Sequence, residues 1–170
     1  MDYSIQYSTK SGLGKPALEV YLYGCDKPIK CNGCHNKELL ETPSEFTPIK
    51  QIEEHLLREI SNFSKFHKQV IISFVGGEPT ADHNKERLNR LSGTVKSKYV
   101  DSLIVLYSWK RLDGWSINNF KHIDYGVLGE YISELHVDNY IPSSSNQIIY
   151  DFKNHEIMDN INLNIEKENK

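Results

Sequence analysis

The sequence predicts an α/β fold, a partial and open (β/α) barrel with about five to six mostly parallel strands. Short apolar runs that fit buried strands alternate with stretches in which apolar residues recur at helical spacing. Such alternation favours a parallel sheet with crossover helices. The 170 residues hold too few of these units for a closed eight-stranded barrel, so an open barrel is the better interpretation.

The first predicted strand is the run ALEVYLY at residues 17–23, which ends at Gly24. A helix is predicted from Thr47 to Phe63, with Thr47 as N-cap and Pro48 as the first helical residue. The apolar residues at helical spacing in this segment are Ile49, Ile52, Leu56, Ile60 and Phe63. This periodicity predicts one buried helix face.

The second predicted strand, QVIISFV at 69–75, stops at two glycines. Asp82 is predicted to cap a helix that ends near Lys96, and the third strand is SLIVLY at 102–107. The series is completed by three further predicted elements: a short helix at 116–121 and strands at 125–131 and 147–152.

The remaining residues, 1–16 and 153–170, are predicted to be peripheral tails of a single domain that spans residues 1–170. The first tail looks irregular. In the second, Ile161, Leu163 and Ile165 alternate as in an edge strand.

Charge and hydropathy limit the classes of partner. The formal net charge is -3, and no basic stripe interleaved with aromatic residues is present, so nucleic acid is not an expected partner. No apolar stretch is long enough for a membrane span, and the N-terminus lacks the layout of a signal peptide. These features predict a cytoplasmic protein with no membrane partner.

All three cysteines, Cys25, Cys31 and Cys34, lie within one ten-residue segment after the first predicted strand. An odd number of thiols in a reducing compartment argues against a disulfide framework. Three thiolates can bind three irons of a cubic iron–sulfur cluster and leave the fourth iron open to a substrate. The alternatives are a zinc site with a fourth ligand such as His35, and a chance grouping of buried thiols.

The second predicted strand is followed by Gly76, Gly77, Glu78 and Pro79. Alone, this motif is typical of a turn. However, glycine lets a backbone approach a ligand closely, and the carboxyl ends of parallel strands meet at one edge of a sheet. We therefore expect this loop, the cysteine segment and Tyr107-Ser108-Trp109 after the third strand to face one another.

These motifs together resemble the radical S-adenosylmethionine (radical SAM) superfamily. The details are similar to its smallest members, the activating enzymes of anaerobic ribonucleoside-triphosphate reductase, in which Cys-x-Gly-Cys precedes Tyr or His and then Asn. This sequence has CNGCHN at 31–36, and Ser144-Ser145-Asn146-Gln147 before the last predicted strand matches a further motif of that family. The resemblance covers roughly residues 17–152.

The resemblance implies a partial barrel of the radical SAM type and two cofactors, a 4Fe-4S cluster and S-adenosylmethionine (SAM). Cys25, Cys31 and Cys34 would bind the cluster. The GGEP loop, around Gly76, Gly77 and Glu78, would receive the methionine end of SAM, and the main chain of Gly33, Cys34 and His35 would lie near its adenosine.

The implied activity is reductive cleavage of SAM to a 5'-deoxyadenosyl radical, which takes a hydrogen atom from a glycine. The implied protein substrate is the anaerobic ribonucleoside-triphosphate reductase, which would carry the glycyl radical. A flavodoxin-like or other low-potential electron donor is implied as a second partner.

The sequence departs from the family pattern at three places. Five residues, instead of three, separate Cys25 from Cys31, a lengthening that costs about 0.4 kcal/mol in loop-closure entropy. Pro142-Ser143 replaces Arg-Gly, and Tyr107-Ser108-Trp109 replaces Thr-Gly-Tyr. Ligand contacts at the last two places are left open.

Two other functions are compatible with parts of the pattern. One is another small radical SAM enzyme, such as 7-carboxy-7-deazaguanine synthase, although the Ser-Ser-Asn-Gln stretch argues against it. The other is a non-enzymatic interaction module that binds zinc.

Overall fold

The computed structural model describes residues 1–112 and 120–164. The strands and helices in these ranges are β1 (Tyr3–Gly12), β2 (Lys15–Leu22), α1 (Ile49–Phe63), β3 (Ile71–Gly76), α2 (Lys85–Lys98), β4 (Leu103–Ser108), β5 (Tyr125–Leu128), β6 (Tyr140–Ile141), β7 (Ile148–Asp151), β8 (Glu156–Met158) and β9 (Ile161–Asn162). Two single 3-10 turns cover Lys37–Leu39 and Ser133–Leu135. The predicted helix at 116–121 falls largely outside the described residues.

Seven strands form the main sheet in the order β1-β2-β3-β4-β5-β7-β8. Its centre, β2 to β5, is parallel, whereas β1, β7 and β8 pair antiparallel with their neighbours. β6 and β9 form a separate antiparallel pair. The predicted α/β class with a parallel central sheet is confirmed. Within the described residues, β1 and β8 are the two ends of the sheet, so the sheet does not close into a barrel.

The predicted strand count was too low, because the first sixteen residues are not irregular. Tyr3–Gly12 forms β1, which pairs with β2 through a tight turn at Leu13 and Gly14. An edge strand has one neighbour and stays partly exposed, so its polar residues hide the strand pattern. Likewise, Glu156–Met158 forms β8 within the segment expected to be a tail. The expected edge strand after it is confirmed at Ile161–Asn162, whereas Leu163 lies beyond the strand and Ile165 lies outside the described residues.

Apolar side chains cover both faces of the sheet, as expected for parallel strands. On one face, the helices pack against Val20, Phe74 and Leu106, which are fully buried. On the other face, a smaller cluster surrounds Val105 and Ile149.

Helix α1 buries Ile52, Leu56, Ile60 and Phe63, which confirms the predicted face. It begins at Ile49, with Pro48 in the N-cap position, and not at the predicted Thr47 cap. The main-chain N–H and the hydroxyl of Thr47 both donate to the carboxylate of Asp2, at 2.9 and 2.6 Å. The hydroxyl of Thr47 is therefore engaged by Asp2 and does not cap the helix.

Helix α2 begins at Lys85, with Asn84 in the N-cap position in place of the predicted Asp82. Asp82 is exposed and forms an ion pair with Lys85. The side chain of Asn84 instead donates to the carbonyls of Tyr23 and Glu78, at 3.0 and 3.1 Å. This residue fixes the start of α2 against the two loops that follow β2 and β3. In the part of the chain that the structure describes, neither helix has the length and apolar character needed to cross a bilayer.

Candidate functional site

The segment that holds the cysteines leaves β2 and is closed at its base by two main-chain hydrogen bonds. The N–H of Gly24 donates to Leu39 O at 2.9 Å, and the N–H of Cys25 donates to Leu40 O at 3.0 Å. Gly24 has φ +92°, and an added Cβ would lie 2.4 Å from Nε2 of His83. Residues 25–38 therefore form a loop, the cysteine loop, whose two ends are held together.

The GGEP loop after β3 lies directly against this base. The N–H of Glu78 donates to Gly24 O at 2.7 Å, and the N–H of Gly77 donates to Leu22 O at 3.0 Å. A Cβ on Gly77 would lie 2.3 Å from Gly24 O, a distance that only glycine permits. The glycine thus allows the two loops to approach, as the sequence analysis expected from their positions at the carboxyl ends of neighbouring strands.

A cleft of about 480 Å³ opens where the two loops meet. Six of the predicted site residues line it: Cys31, Cys34, His35, Gly76, Gly77 and Glu78. Two predicted site residues lie outside this lining. Cys25 is buried at the base of the loop, and Gly33, with φ +72°, packs toward Ser133 and Tyr131.

The three cysteines are free thiols. Burial raises the pKa of Cys25 and of Cys31 above the usual value for cysteine, and the charges of Lys30 and Lys27, respectively, oppose this increase. Metal binding requires the thiolate forms and releases the protons. The two lysines are therefore the cations that would favour metal binding in this loop.

The donor chemistry fits an iron–sulfur cluster, since soft thiolates are the ligands such clusters take. Within residues 1–112 and 120–164, no three His, Cys, Asp or Glu side chains converge as ligands of one metal ion. A mononuclear zinc site needs four ligands around one ion. In a cluster, by contrast, each thiolate binds a different iron, so the sulfurs need not converge on one point.

The Glu78 carboxylate is fully buried and accepts hydrogen bonds from its own loop and from residues at the end of β4 and just after it. Oε1 accepts from the N–H and the hydroxyl of Thr80, at 3.0 and 2.6 Å. Oε2 accepts from the N–H of Trp109 at 3.1 Å, and the Ser108 hydroxyl lies 2.9 and 3.0 Å from the two oxygens. Burial raises the pKa of Glu78, while Thr80, Ser108 and the charge of Lys110 act in the opposite direction. The side chain therefore joins the GGEP loop to the loop after β4.

The lengthened spacer between Cys25 and Cys31 is held by the same loop after β4. Asp26 accepts from Nε1 of Trp109 at 3.1 Å and pairs with Nζ of Lys110 at 3.0 Å. Lys27 pairs with Glu130 at 2.9 Å, and its ammonium lies 5.8 Å from the centre of the Trp109 ring. The longer spacer and the Tyr107-Ser108-Trp109 segment are two of the three departures from the family pattern, and they are thus in contact with each other.

The Ser-Ser-Asn-Gln stretch holds the loop that follows β5. Ser144 donates to Ile132 O at 3.0 Å. The amides of Asn146 and Gln147 donate to Glu130 O and Gly129 O, at 2.9 and 2.8 Å. Gln147 also lines the cleft. The stretch therefore acts on the site mainly by shaping residues 129–132.

The sequence analysis missed Tyr131 and His136, which also line the cleft. The Tyr131 ring lies 4.4 Å from the His35 ring, and its main-chain N–H donates to the Cys31 sulfur. The Tyr131 hydroxyl lies 3.3 Å from Nδ1 of His136. Tyr131 lies just beyond β5, at the same edge of the sheet as the cysteines. That position could have indicated a site residue.

Comparison with known proteins agrees with this geometry. The family described as 4Fe-4S single cluster domain matches residues 11–150. The chain is also similar to the anaerobic ribonucleoside-triphosphate reductase-activating protein of Enterobacteria phage T4, with 24% identity over 140 residues, 79% of this chain and 85% of the phage protein. The resemblance to these activating proteins is confirmed, and the chain belongs to the 4Fe-4S single cluster domain family.

Proposed function

We propose that this protein is a radical SAM activase that cleaves SAM reductively and generates a glycyl radical on an anaerobic ribonucleotide reductase. The observation that carries the proposal is the single cleft shared by Cys31 and Cys34, the GGEP loop and Gln147. Motifs from three distant parts of the sequence meet there, in the order that the activating enzymes show. The name of the phage relative supports the choice of the reductase as protein substrate.

In this proposal, Cys25, Cys31 and Cys34 would hold a 4Fe-4S cluster through their thiolates. Bound together, the cluster and SAM supply a one-electron cleavage that yields methionine and a 5'-deoxyadenosyl radical able to abstract a glycine hydrogen atom. Lys27 and Lys30 are the cations beside the thiolates. Tyr131 contributes a main-chain N–H to Cys31, a contact of the kind that raises cluster reduction potentials.

The GGEP loop would bind SAM chiefly through its main chain, because the Glu78 carboxylate is already engaged by Thr80, Ser108 and Trp109. Gly76 and Gly77 present backbone without side chains to the cleft. In the same cleft, His35 and Tyr131 offer two aromatic rings at which a nucleoside could stack. The carboxylate of Glu78 thus acts as a positioning group for the loop.

The protein substrate would enter from the open side of the sheet. β1 and β8 end the sheet without pairing with each other among the described residues. A polypeptide loop could therefore reach the cleft, where a closed barrel would exclude it. Polar groups from Lys10, Glu19 and Tyr21 line that end of the cleft.

The proposal is tested with protein reconstituted without oxygen in the presence of iron and sulfide. With dithionite and SAM it should release 5'-deoxyadenosine, and with an anaerobic ribonucleotide reductase it should give a glycyl radical signal in electron paramagnetic resonance. Release of 5'-deoxyadenosine without the radical signal would instead favour a radical SAM enzyme that acts on a small molecule. A colourless protein with one bound zinc would favour the interaction module.

A further inference from the structure

The cysteine loop has an outward side, which borders a separate cavity of about 600 Å³. The spacer contributes Lys27, Pro28 and Ile29 to this outer cavity, and the loop after β4 contributes Arg111. Among the described residues, Trp109 alone borders both the outer cavity and the cleft. The cysteine loop therefore presents one side to the cleft and another to the outer cavity.

The outer cavity combines an exposed apolar group with positive charge. Ile29 is 80% exposed, although it is a large aliphatic side chain. Three cations, Lys27, Lys110 and Arg111, line the cavity with a single carboxylate, Glu130. Asp26 also pairs with Lys110, so three cations face two carboxylates. The resulting excess of one positive charge contrasts with the net charge of -3 of the whole chain. Exposed apolar groups next to Trp and Arg are typical of the centres of protein interfaces.

We infer that the outer cavity is the docking surface of an acidic one-electron carrier protein, of the flavodoxin type. The inference rests on the proposed function, which requires an electron to reach the cysteine loop while SAM and a polypeptide occupy the cleft. A carrier at the outer cavity meets this requirement. Ile29 lies two residues from Cys31, so the spacer gives a short path from the surface to a bound cluster.

The electron balance is simple. The reduced carrier loses one electron, the oxidised cluster gains it, and no covalent bond forms or breaks. Charge complementarity favours an acidic carrier, because Arg111 is 65% exposed in its side chain and the Glu130 carboxylate with which it pairs is 3.9 Å away. Such rim charges act mainly on the rate of association, which falls as salt increases.

The test measures how fast a fully reduced flavodoxin reduces the reconstituted protein, followed by the loss of visible absorbance in a stopped-flow instrument. We expect Arg111→Glu to slow this reaction about tenfold at low ionic strength, and the difference to disappear at high salt. Ile29→Ser should slow the reaction at both ionic strengths. Lys68→Glu is the matched control, since Lys68 is exposed and lies before β3 at the opposite end of the strands.

Iron content and the rate of reduction by dithionite are measured on the same samples. Both should equal those of the unchanged protein, because a small reductant needs no docking surface. Equal flavodoxin rates for all variants would overturn the inference, as would an equal slowing with dithionite. If Arg111→Glu and Ile29→Ser bind the reductase more weakly but are reduced by flavodoxin at the rate of the unchanged protein, the surface belongs to the reductase and the inference is overturned. Since cluster reduction is read without SAM, these outcomes do not depend on whether the proposed activity is found.

Discussion

The indole Nε1 of Trp109 donates a hydrogen bond to Oδ1 of Asp26 at 3.1 Å, and this contact joins the loop after β4 to the spacer between Cys25 and Cys31. Lys110 adds an ion pair to the same carboxylate at 3.0 Å. The contact explains how a longer spacer can be ordered. The entropy lost by fixing the extra residues is offset by bonds to a loop that Glu78 already holds in place.

Asp26→Ala should loosen the spacer. Because the change removes one acceptor from both Trp109 and Lys110, we expect the free energy of unfolding to fall by about 1 kcal/mol. In the cluster-loaded protein, visible absorbance should bleach faster in air. Asp82→Ala, which removes an exposed carboxylate that pairs with Lys85, is the control and should change neither quantity. If Trp109→Phe and Asp26→Ala act additively in a double-mutant cycle, the two side chains are not coupled.

Cys31→Ala should abolish cluster binding and the release of 5'-deoxyadenosine. Two thiolates cannot hold a cubic cluster as three do. Iron and sulfide analysis after anaerobic reconstitution measures the first effect, and chromatography of the products measures the second. Ser61→Ala, at an exposed position of α1 outside the cleft lining, is the control and should keep both. Undiminished 5'-deoxyadenosine release from Cys31→Ala would remove the cysteine triplet from the ligand set.

Gly77→Ala should separate the two loops at the base of the site. An added Cβ would meet the carbonyl oxygens of Gly24 and Leu39 at 2.3 and 2.7 Å, and backbone cannot move aside cheaply. We expect the free energy of unfolding to fall by about 2 kcal/mol or more, with a loss of iron binding. Denaturant unfolding and iron analysis are the measurements.

The matched control is Gly93→Ala in α2, where the nearest atom to the added Cβ is Nε2 of His122 at 3.2 Å. That side chain can shift, and alanine favours the helix. The change should therefore leave the unfolding free energy within about 1 kcal/mol. Equal losses at the two glycines would show that the close approach of the loops has no special cost.

Glu78→Ala should leave the donors of Thr80, Ser108 and Trp109 without their acceptor. Unsatisfied buried donors cost about 1–3 kcal/mol each, so we expect a loss of at least about 2 kcal/mol in the free energy of unfolding. SAM affinity, measured by calorimetry on the loaded protein, should fall more than iron content does. Ser108→Ala removes one donor and should cost about 1 kcal/mol. An unchanged SAM affinity in Glu78→Ala would contradict a positioning role for this carboxylate.

Acid should weaken the fold through Asp2. Burial alone would raise the pKa of Asp2, but hydrogen bonds from Thr47 and the charge of Arg87 outweigh it and hold the pKa below its usual value. A lowered carboxyl pKa stabilises the fold above its unfolded-state value, and this contribution is lost as the pH falls through the folded-state value. The difference in unfolding free energy between the unchanged protein and Asp2→Asn should therefore shrink below about pH 4. A pH-independent difference would show that the charge of Asp2 contributes nothing.

The sequence by itself determined the parts of this protein that depend on local pattern. Helical spacing identified the buried face of α1, and apolar runs located β2 to β5 because parallel strands are apolar on both faces. The site residues beyond the strand ends were also predictable, since Cys31, Cys34 and Gly77 follow strands whose carboxyl ends share one edge.

The tertiary structure alone decided the rest. β1 is an edge strand, so few of its residues needed to be apolar, and no local pattern marked it. Thr47 and Asp82 carry good capping side chains, yet Asp2 and Lys85 engage them instead. The contact between Asp26 and Trp109 joins residues 83 positions apart. Sequence spacing cannot predict such a contact, because the sheet beneath the two loops determines whether they meet.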